Sequence, residues 1–281
     1  MVLLTCYNRR EMTLSCLRSL EENKKDFGEI MGEELRLRYI ITDDASTDHT
    51  EEALRSLGAD ITILKGNGNL FWCGGMRKSM NYAAKMLNNG SENADYVMLV
   101  NDDVTFFHNA LRKLVERQKS SNCDVVVGAT SDAKGELTYG GVRKTSRFFA
   151  KFEEIGPSQE PVLCDTFHCN CVLMTRETFL FSGNLDKHFV HSMGDYDYGM
   201  RMYKAGRIVI NTRGYVGVCE KNPVEGSWLD STLPRLERLK KKESMKGLPR
   251  KDWYHFVRKN YGLFPAVYHF VTPYIRILLG I

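Results

Sequence analysis

No run of this sequence reaches the roughly 20 apolar residues that a membrane-spanning helix needs. Met1–Thr5 is too short an apolar stretch, with the wrong flanks, to read as a secretory leader. The eight cysteines of the 281-residue chain follow no disulfide-framework spacing, and Cys6, Cys123 and Cys219 lie inside apolar runs. That usage fits a reducing compartment and predicts a cytoplasmic protein. No GxGxxG follows the first strand and no GxxxxGK[ST] occurs, which removes the common dinucleotide and nucleoside-triphosphate fingerprints. Internal repeats and low-complexity linkers are absent as well. Charge of one sign is scarce overall, the net being only +4. It is unevenly spread: ten Lys/Arg against three Asp/Glu between Arg235 and Lys259 make that stretch +7 and leave the rest at −3. With an acidic remainder and no recognition motif, nucleic acid is not an expected partner.

Hydrophobic residues at 43% and charged residues at 26% are ordinary for a globular protein long enough to bury a full core. Strand and helix patterns alternate. Val2–Thr5 is a short buried strand, followed by a helix with Leu14, Leu17 and Leu20 on one face. Leu35–Thr42 is a second strand, and Asp48 with Glu51 forms a capping box for a helix to Leu57. Ile61–Leu64 is a third strand. A glycine-rich loop, Lys65–Gly75, leads into a helix over Met76–Leu87. Tyr96–Val100 is a fourth strand, and His108–Gln118 a helix. Such alternation predicts a mostly parallel sheet with helices on both faces. The second half is less regular: a strand at Val125–Ala129, exposed antiparallel strands over Gly135–Glu154 turning at Gly140-Gly141, an apolar return at Val162–Met174, and a short helix Arg176–Phe181. A helix then opens at Gly194 and ends near Gly206, before a late strand Arg207–Asn211.

The stretch Val97–Val104 organises the rest. An uncharged apolar strand ends in two adjacent carboxylates, Asp102 and Asp103, which repel each other unless a cation neutralises them. Hard divalent ions take oxygen ligands and keep positions open for substrate phosphates. The alternative is that one aspartate merely caps the following helix. Two other strands end comparably, at Thr5/Tyr7/Arg9 and at Asp43/Asp44/Ser46. In a doubly wound sheet such ends line one crevice, here with an aromatic ring, base- or ribose-binding carboxylates and a metal seat.

The combination resembles the family 2 inverting glycosyltransferases of the GT-A fold. The matching pieces are Leu3–Arg9, Thr42–Asp48, Val100–Asp103 and Gly194–Asp197, in the family's order over roughly residues 1–220. The resemblance implies a donor-binding set of Thr5, Tyr7, Arg9, Asp44, Ser46, Asn67, Trp72 and Asp102. Asp103 would ligate Mg²⁺ or Mn²⁺, and Asp195 would be the catalytic base. The acceptor hydroxyl must lose a proton as it attacks the anomeric carbon, so a carboxylate is needed on the acceptor side; Asp197 is the lesser candidate, and one of the two carboxylates is free to cap the helix. Asn67–Met76 and His191–Arg201 look like the rhamnosyltransferase-type branch, which implies dTDP-rhamnose as donor and bacterial surface polysaccharide as product. Trp72 would pack on the sugar or support the loop. Where many relatives carry a metal-binding histidine after the last core strand, this chain has Val218-Cys219-Glu220. Either Glu220 replaces it as an oxygen ligand or a third protein ligand is lacking.

Cys164, His168, Cys169 and Cys171 do not match zinc spacing and read better as buried strand positions. His168 and Asn170 are candidates for an acceptor pocket; His188 and His191 would orient the Asp195 loop or simply be exposed. The expected organisation is a transferase domain over 1–222 and a helical appendage over 223–281. The appendage combines cations, aromatics and an apolar segment broken by Pro265 and Pro273, which suits a helix lying in a membrane interface. Its alternative is packing on the domain or on a second subunit. Expected partners are a nucleoside diphosphate sugar and a glycan or lipid-linked acceptor. Two rivals remain: the same machinery with a UDP-hexose or UDP-HexNAc donor, and a non-catalytic nucleotide-sugar or membrane-binding module.

Overall fold

A computed structural model describes residues 1–31 and 34–280. Ile281, the end of the expected apolar tail, lies outside them. The first half runs β1 (Val2–Cys6), α1 (Arg10–Met31), β2 (Tyr39–Asp43), α2 (Thr50–Arg55), β3 (Ile61–Lys65), α3 (Phe71–Asn88) and β4 (Tyr96–Val100). Then come β5 (Thr105–Phe106), α4 (Ala110–Ser121), β6 (Val125–Val127), β7 (Thr130–Ser131), β8 (Leu137–Tyr139), β9 (Gly141–Lys144), β10 (Phe152–Ile155), β11 (Thr166–Phe167) and β12 (Cys171–Thr175). The chain continues through α5 (Arg176–Ser182), α6 (Gly194–Lys204), β13 (Val209–Asn211) and β14 (Gly217–Val218) into α7 (Arg235–Glu243), α8 (Arg250–Tyr261) and α9 (Leu263–Leu279).

Seven strands form the central sheet in the order β13-β6-β12-β4-β1-β2-β3. All neighbours pair in parallel except β12, which runs antiparallel to both β4 and β6. Side chains of a strand alternate between faces, and the core divides accordingly. Leu3, Ile40, Val97 and Leu99 meet Met76, Met80, Ala83 and Leu87 of α3 on one face. Val2, Leu4, Ile41, Met98 and Val100 meet Leu14, Leu17 and Leu20 of α1 on the other. Burial on both faces explains why these strands read as unbroken apolar runs. The C-terminal helices share this core: Trp253, Phe256, Val257 and Ala266 pack within the α3 face. Two of the ten cations between Arg235 and Lys259 are buried within the C-terminal segment itself. Arg238 donates from Nε to Trp228 O (3.0 Å), and Lys242 from Nζ to Leu248 O (3.0 Å).

Several boundaries differ from expectation. The second strand begins at Tyr39, not Leu35. The α3 helix begins at Phe71, inside the glycine-rich stretch, because the Asp44 carboxylate accepts the N–H groups of Leu70 (2.8 Å) and Phe71 (3.1 Å) at its start. The Asp48–Glu51 capping box does not form. Asp48 accepts from the Thr50 N–H (3.2 Å) and from the Arg10 N–H (2.9 Å), so it ties the starts of α2 and α1 together, while Glu51 pairs with Arg55 and Lys65. Residues 135–154 split between two small sheets at Gly140, where β8 joins β5-β14-β7 and β9 joins β10 and β11.

Candidate active site

The strand order reverses between β1 and β4, so the crevice beyond their carboxyl ends is the sheet's ligand-binding position. Three loops are stitched together there. Asn8 accepts the Thr47 N–H on Oδ1 (2.7 Å), and its own N–H donates to Ser46 Oγ (2.9 Å). Ser46 therefore reaches the crevice edge as a loop tie. Tyr7 is half exposed beside it, and Asn67 is exposed with its Oδ1 accepting the Asn69 N–H (3.0 Å). Asn8, Ala45, Phe71 and Met193 all hold positive-φ backbone in the loops and at the helix starts flanking these elements. Non-glycine strain of that kind concentrates where surrounding structure enforces a functional geometry.

Neither Asp102 nor Asp103 caps α4, whose start is preceded by Asn109. Instead Arg9 Nη1 bridges them, 3.1 Å from Asp102 Oδ1 and 3.0 Å from Asp103 Oδ2. Asp102 is buried; burial pushes its carboxyl up to about 6, against the opposing pull of Arg9. Asp103 is more open, and the Cys219 thiol approaches its Oδ1 at 3.5 Å. Trp72 donates from Nε1 to Asn101 Oδ1 (2.8 Å), tying the start of α3 to this acidic loop.

Asp44 does not offer a free carboxylate to a nucleoside. Oδ1 accepts from the N–H groups of Asn67 (3.1 Å) and Gly68 (2.8 Å), and Oδ2 from those of Leu70 and Phe71. A carboxylate has about four acceptor positions, and here the loop takes them all. Gly66 permits the approach, since a Cβ there would lie 2.6 Å from Asp44 Cα. Thr5 is likewise structural: it is buried, its Oγ1 donates to Thr42 O (3.0 Å), and Gly75 packs directly on it. Both residues shape the crevice floor.

Antiparallel β12 delivers its amino-terminal flank to the same edge. Asn170 O accepts the Asn101 N–H (3.1 Å), and its Nδ2 lies 3.3 Å from Cys219 Sγ. Two residues earlier, His168 Nδ1 lies 3.9 Å from Asp195 Oδ2, and its Nε2 lies 2.9 Å from Glu154 Oε1 and 3.2 Å from the Tyr196 hydroxyl. Asp195 opens α6, with Oδ1 accepting the Tyr196 N–H (2.8 Å). Burial raises its carboxyl above the ordinary value, and His168 pulls the other way. Asp197 is fully buried and paired with Lys259 (2.8 Å) and Arg201 (3.3 Å), which makes it a structural anchor.

Other expected residues are not assembled here. Glu220 accepts the Ala133 N–H on Oε1 (3.0 Å) and is exposed; the neighbour of Asp103 is Cys219. His188 stacks on His255 of α8, ring centroids 3.9 Å apart. His191 is half-buried, its Nδ1 without a partner. Among the described residues no cluster of three His, Cys, Asp or Glu side chains is placed to hold a metal. Glu154 was missed by the sequence reading. Only the pairing of β10 with β9, and of β9 with β11, carries it to His168.

The doubly wound sheet is GT-A-like, with acidic residues at its switch point and a carboxylate at the start of a later helix. The chain belongs to glycosyl transferase family 2, whose model matches residues 1–180, and it is a glycosyltransferase. Similar folds include the mannosyltransferase PcManGT from Pyrobaculum calidifontis, solved with GDP-Man and Mn²⁺: TM-score 0.58, 14% identity, covering 99% of this chain and 72% of that one. S. aureus TarS 1–349 in complex with UDP-GlcNAc is another, with TM-score 0.56, 13% identity and coverage of 98% and 80%. At those identities the likeness is one of fold. No curated protein sequence matches the chain.

Proposed function

We propose that the protein transfers a sugar, with inversion, from a nucleoside diphosphate donor to a hydroxyl of a glycan or lipid-linked acceptor. Residues 1–222 would carry this machinery and 223–281 the helical appendage. One observation carries the reading: two residues apart on the β12 flank, Asn170 leads through Cys219 to the Asp103 pair, and His168 leads to Asp195. Both residues sit in the short connection between β11 and β12, so donor and acceptor ends share one support.

In this reading Asp195 takes the acceptor proton as the acceptor oxygen bonds to the anomeric carbon. The bond from that carbon to the diphosphate oxygen breaks, and its electron pair leaves with the nucleoside diphosphate. Inversion follows from a single displacement. His168, held by Glu154, keeps Asp195 in place and favours its ionised form. Tyr7 and Asn67 face the nucleoside, Trp72 flanks the sugar, and Arg9 meets the phosphates. Two adjacent carboxylates are oxygen ligands of the kind a hard divalent cation takes, in the seat that Arg9 fills here. Asp103, with Asp102 behind it, would hold Mg²⁺ or Mn²⁺; Glu220 is engaged elsewhere. When bound, the ion would offset charge developing on the leaving diphosphate. Rhamnose from dTDP-rhamnose is the donor that the resemblance of Asn67–Met76 and His191–Arg201 supports, with bacterial surface polysaccharide as product. Among the described residues no helix is long and apolar enough to cross a membrane.

A thermal-shift panel of dTDP, UDP, GDP and their sugars, with and without Mn²⁺, tests this, because a ligand of the folded state raises the midpoint by mass action. A Mn²⁺-dependent shift with dTDP-rhamnose that Asp103→Asn abolishes is the expected result. A shift with UDP-sugars instead would replace the donor and keep the mechanism. Silence toward every nucleotide would overturn the reading in favour of a non-catalytic module.

A further inference from the structure

The α9 helix has one buried side and one bare side. Ala266, Pro273 and Ile277 face inward, and Trp253 Nε1 donates to His269 O (3.0 Å) from α8. Phe264, Val267, Tyr268, Val271, Ile275 and Leu278 form an outward stripe at helical spacing, with Phe264 88% exposed. Arg276 is the helix's only Lys, Arg, Asp or Glu. At 17 residues α9 is about 25 Å long, short of the roughly 30 Å hydrocarbon core.

A second element, distant in sequence, joins the stripe. In the loop between β9 and β10, Phe148 is 72% exposed, and the Phe149 ring lies 5.1 Å from that of Tyr268. The Ala150 N–H donates to His269 Nε2 (3.1 Å), which fixes the loop on α9. Arg147 and Lys151 flank these aromatics, exposed and without an ion-pair partner among the described residues. The same loop runs into Phe152, whose ring lies 5.0 Å from that of Tyr196, the residue after Asp195. The apolar surface therefore ends beside the proposed base.

We propose that α9 and the 145–151 loop form one docking surface for an anionic lipid bilayer, seated so that a lipid-linked acceptor arrives at Asp195. The acceptor half rests on the function proposed above; the docking half does not. Contiguous exposed apolar surface of this kind marks an interaction face. The uncompensated cations at its rim decide the partner. Anionic headgroups neutralise Arg147 and Lys151, whereas a second copy would bring the same positive rim to a self-complementary interface. Amphipathic helices lying in the interface use this combination of an apolar face and basic flanks.

Co-sedimentation of the full chain with vesicles of phosphatidylcholine, and of phosphatidylcholine with phosphatidylglycerol, tests the proposal without turnover. The expected result is binding to the anionic vesicles that weakens with salt. Arg147→Glu with Lys151→Glu is expected to lower the affinity about tenfold or more. Phe264→Ser with Val271→Ser is expected to lower it comparably, the nucleotide thermal shift staying unchanged in both variants. No binding to anionic vesicles overturns the proposal. So does a stable dimer, seen by light scattering, that Phe264→Ser with Val271→Ser dissociates. A protein that binds vesicles but shifts with no nucleotide refutes the donor reading and leaves the docking surface standing.

Discussion

Glu154 Oε1 lies 2.9 Å from His168 Nε2, and through that contact a strand of a small outer sheet controls the imidazole facing Asp195. His168 lowers the Asp195 carboxyl against the upward push of burial. In His168→Ala the Asp195 carboxyl rises further, so the acidic limb of the kcat profile moves to higher pH. At neutral pH kcat falls about tenfold, less than the loss expected for a group that itself moves the proton. Glu154→Gln keeps the ring in place and moves the limb the same way by a smaller amount. A pH–rate profile of the three proteins checks this; unshifted limbs would assign His168 a packing role only.

Asp195→Asn removes the proposed proton acceptor and leaves the residues of the proposed donor crevice unchanged. Transfer is expected to fall at least about a hundredfold, while the nucleotide-induced thermal shift stays at its wild-type size. Steady-state kinetics alongside the ligand panel separates the two. Loss of donor binding in this variant would place Asp195 on the wrong side of the reaction.

Asp44→Asn turns one oxygen, which accepts two backbone N–H groups, into an NH₂ donor. Two N–H groups then face a donor in a partly buried site, a loss of about 2–3 kcal/mol in unfolding free energy. Gly66→Ala strikes the same contact from the other side. Chemical denaturation is expected to show both variants destabilised, with nucleotide affinity falling as a consequence.

Asp102 makes the metal-free protein sensitive to pH. Burial holds its carboxyl at about 6 when folded, above the ordinary 3.8. Between those values the folded state binds more protons than the unfolded one, so stability declines as pH rises from about 4 to about 6. The loss is on the order of 2 kcal/mol, and Asp102→Asn abolishes it. Melting temperatures across that window, without added metal, test the sign. A wild-type curve that rises where this one must fall contradicts it.

Much of this fold was legible in the sequence because its signals are local. Apolar runs such as Val97–Val100 announce strands buried on both faces, and Leu14, Leu17 and Leu20 announce the face of α1. The start of α3 was not legible, since glycines at 74 and 75 normally break helices. The capping groups that start it come from Asp44, 26 residues away from Leu70. The partner of Asp48 was misread for the same reason: its second acceptor oxygen meets Arg10, on another helix.

By itself the sequence determined the alternation of strands and helices, the acidic strand ends and the motifs Leu3–Arg9, Thr42–Asp48 and Val100–Asp103, which fall within the family match. Periodicity and residue type suffice there, because each strand's burial and each motif's order are written within a few residues. Only the tertiary structure decided which carboxylates remain available. The Asp44 carboxylate turned toward the backbone of a neighbouring loop, and Arg9 reached across the switch point to Asp102 and Asp103. The reversed direction of β12 carried His168 and Asn170 to the edge where the parallel strands end. Strand direction and order are set by packing of the whole sheet, which no local pattern encodes, and the same packing covered one face of α9 and left the other bare.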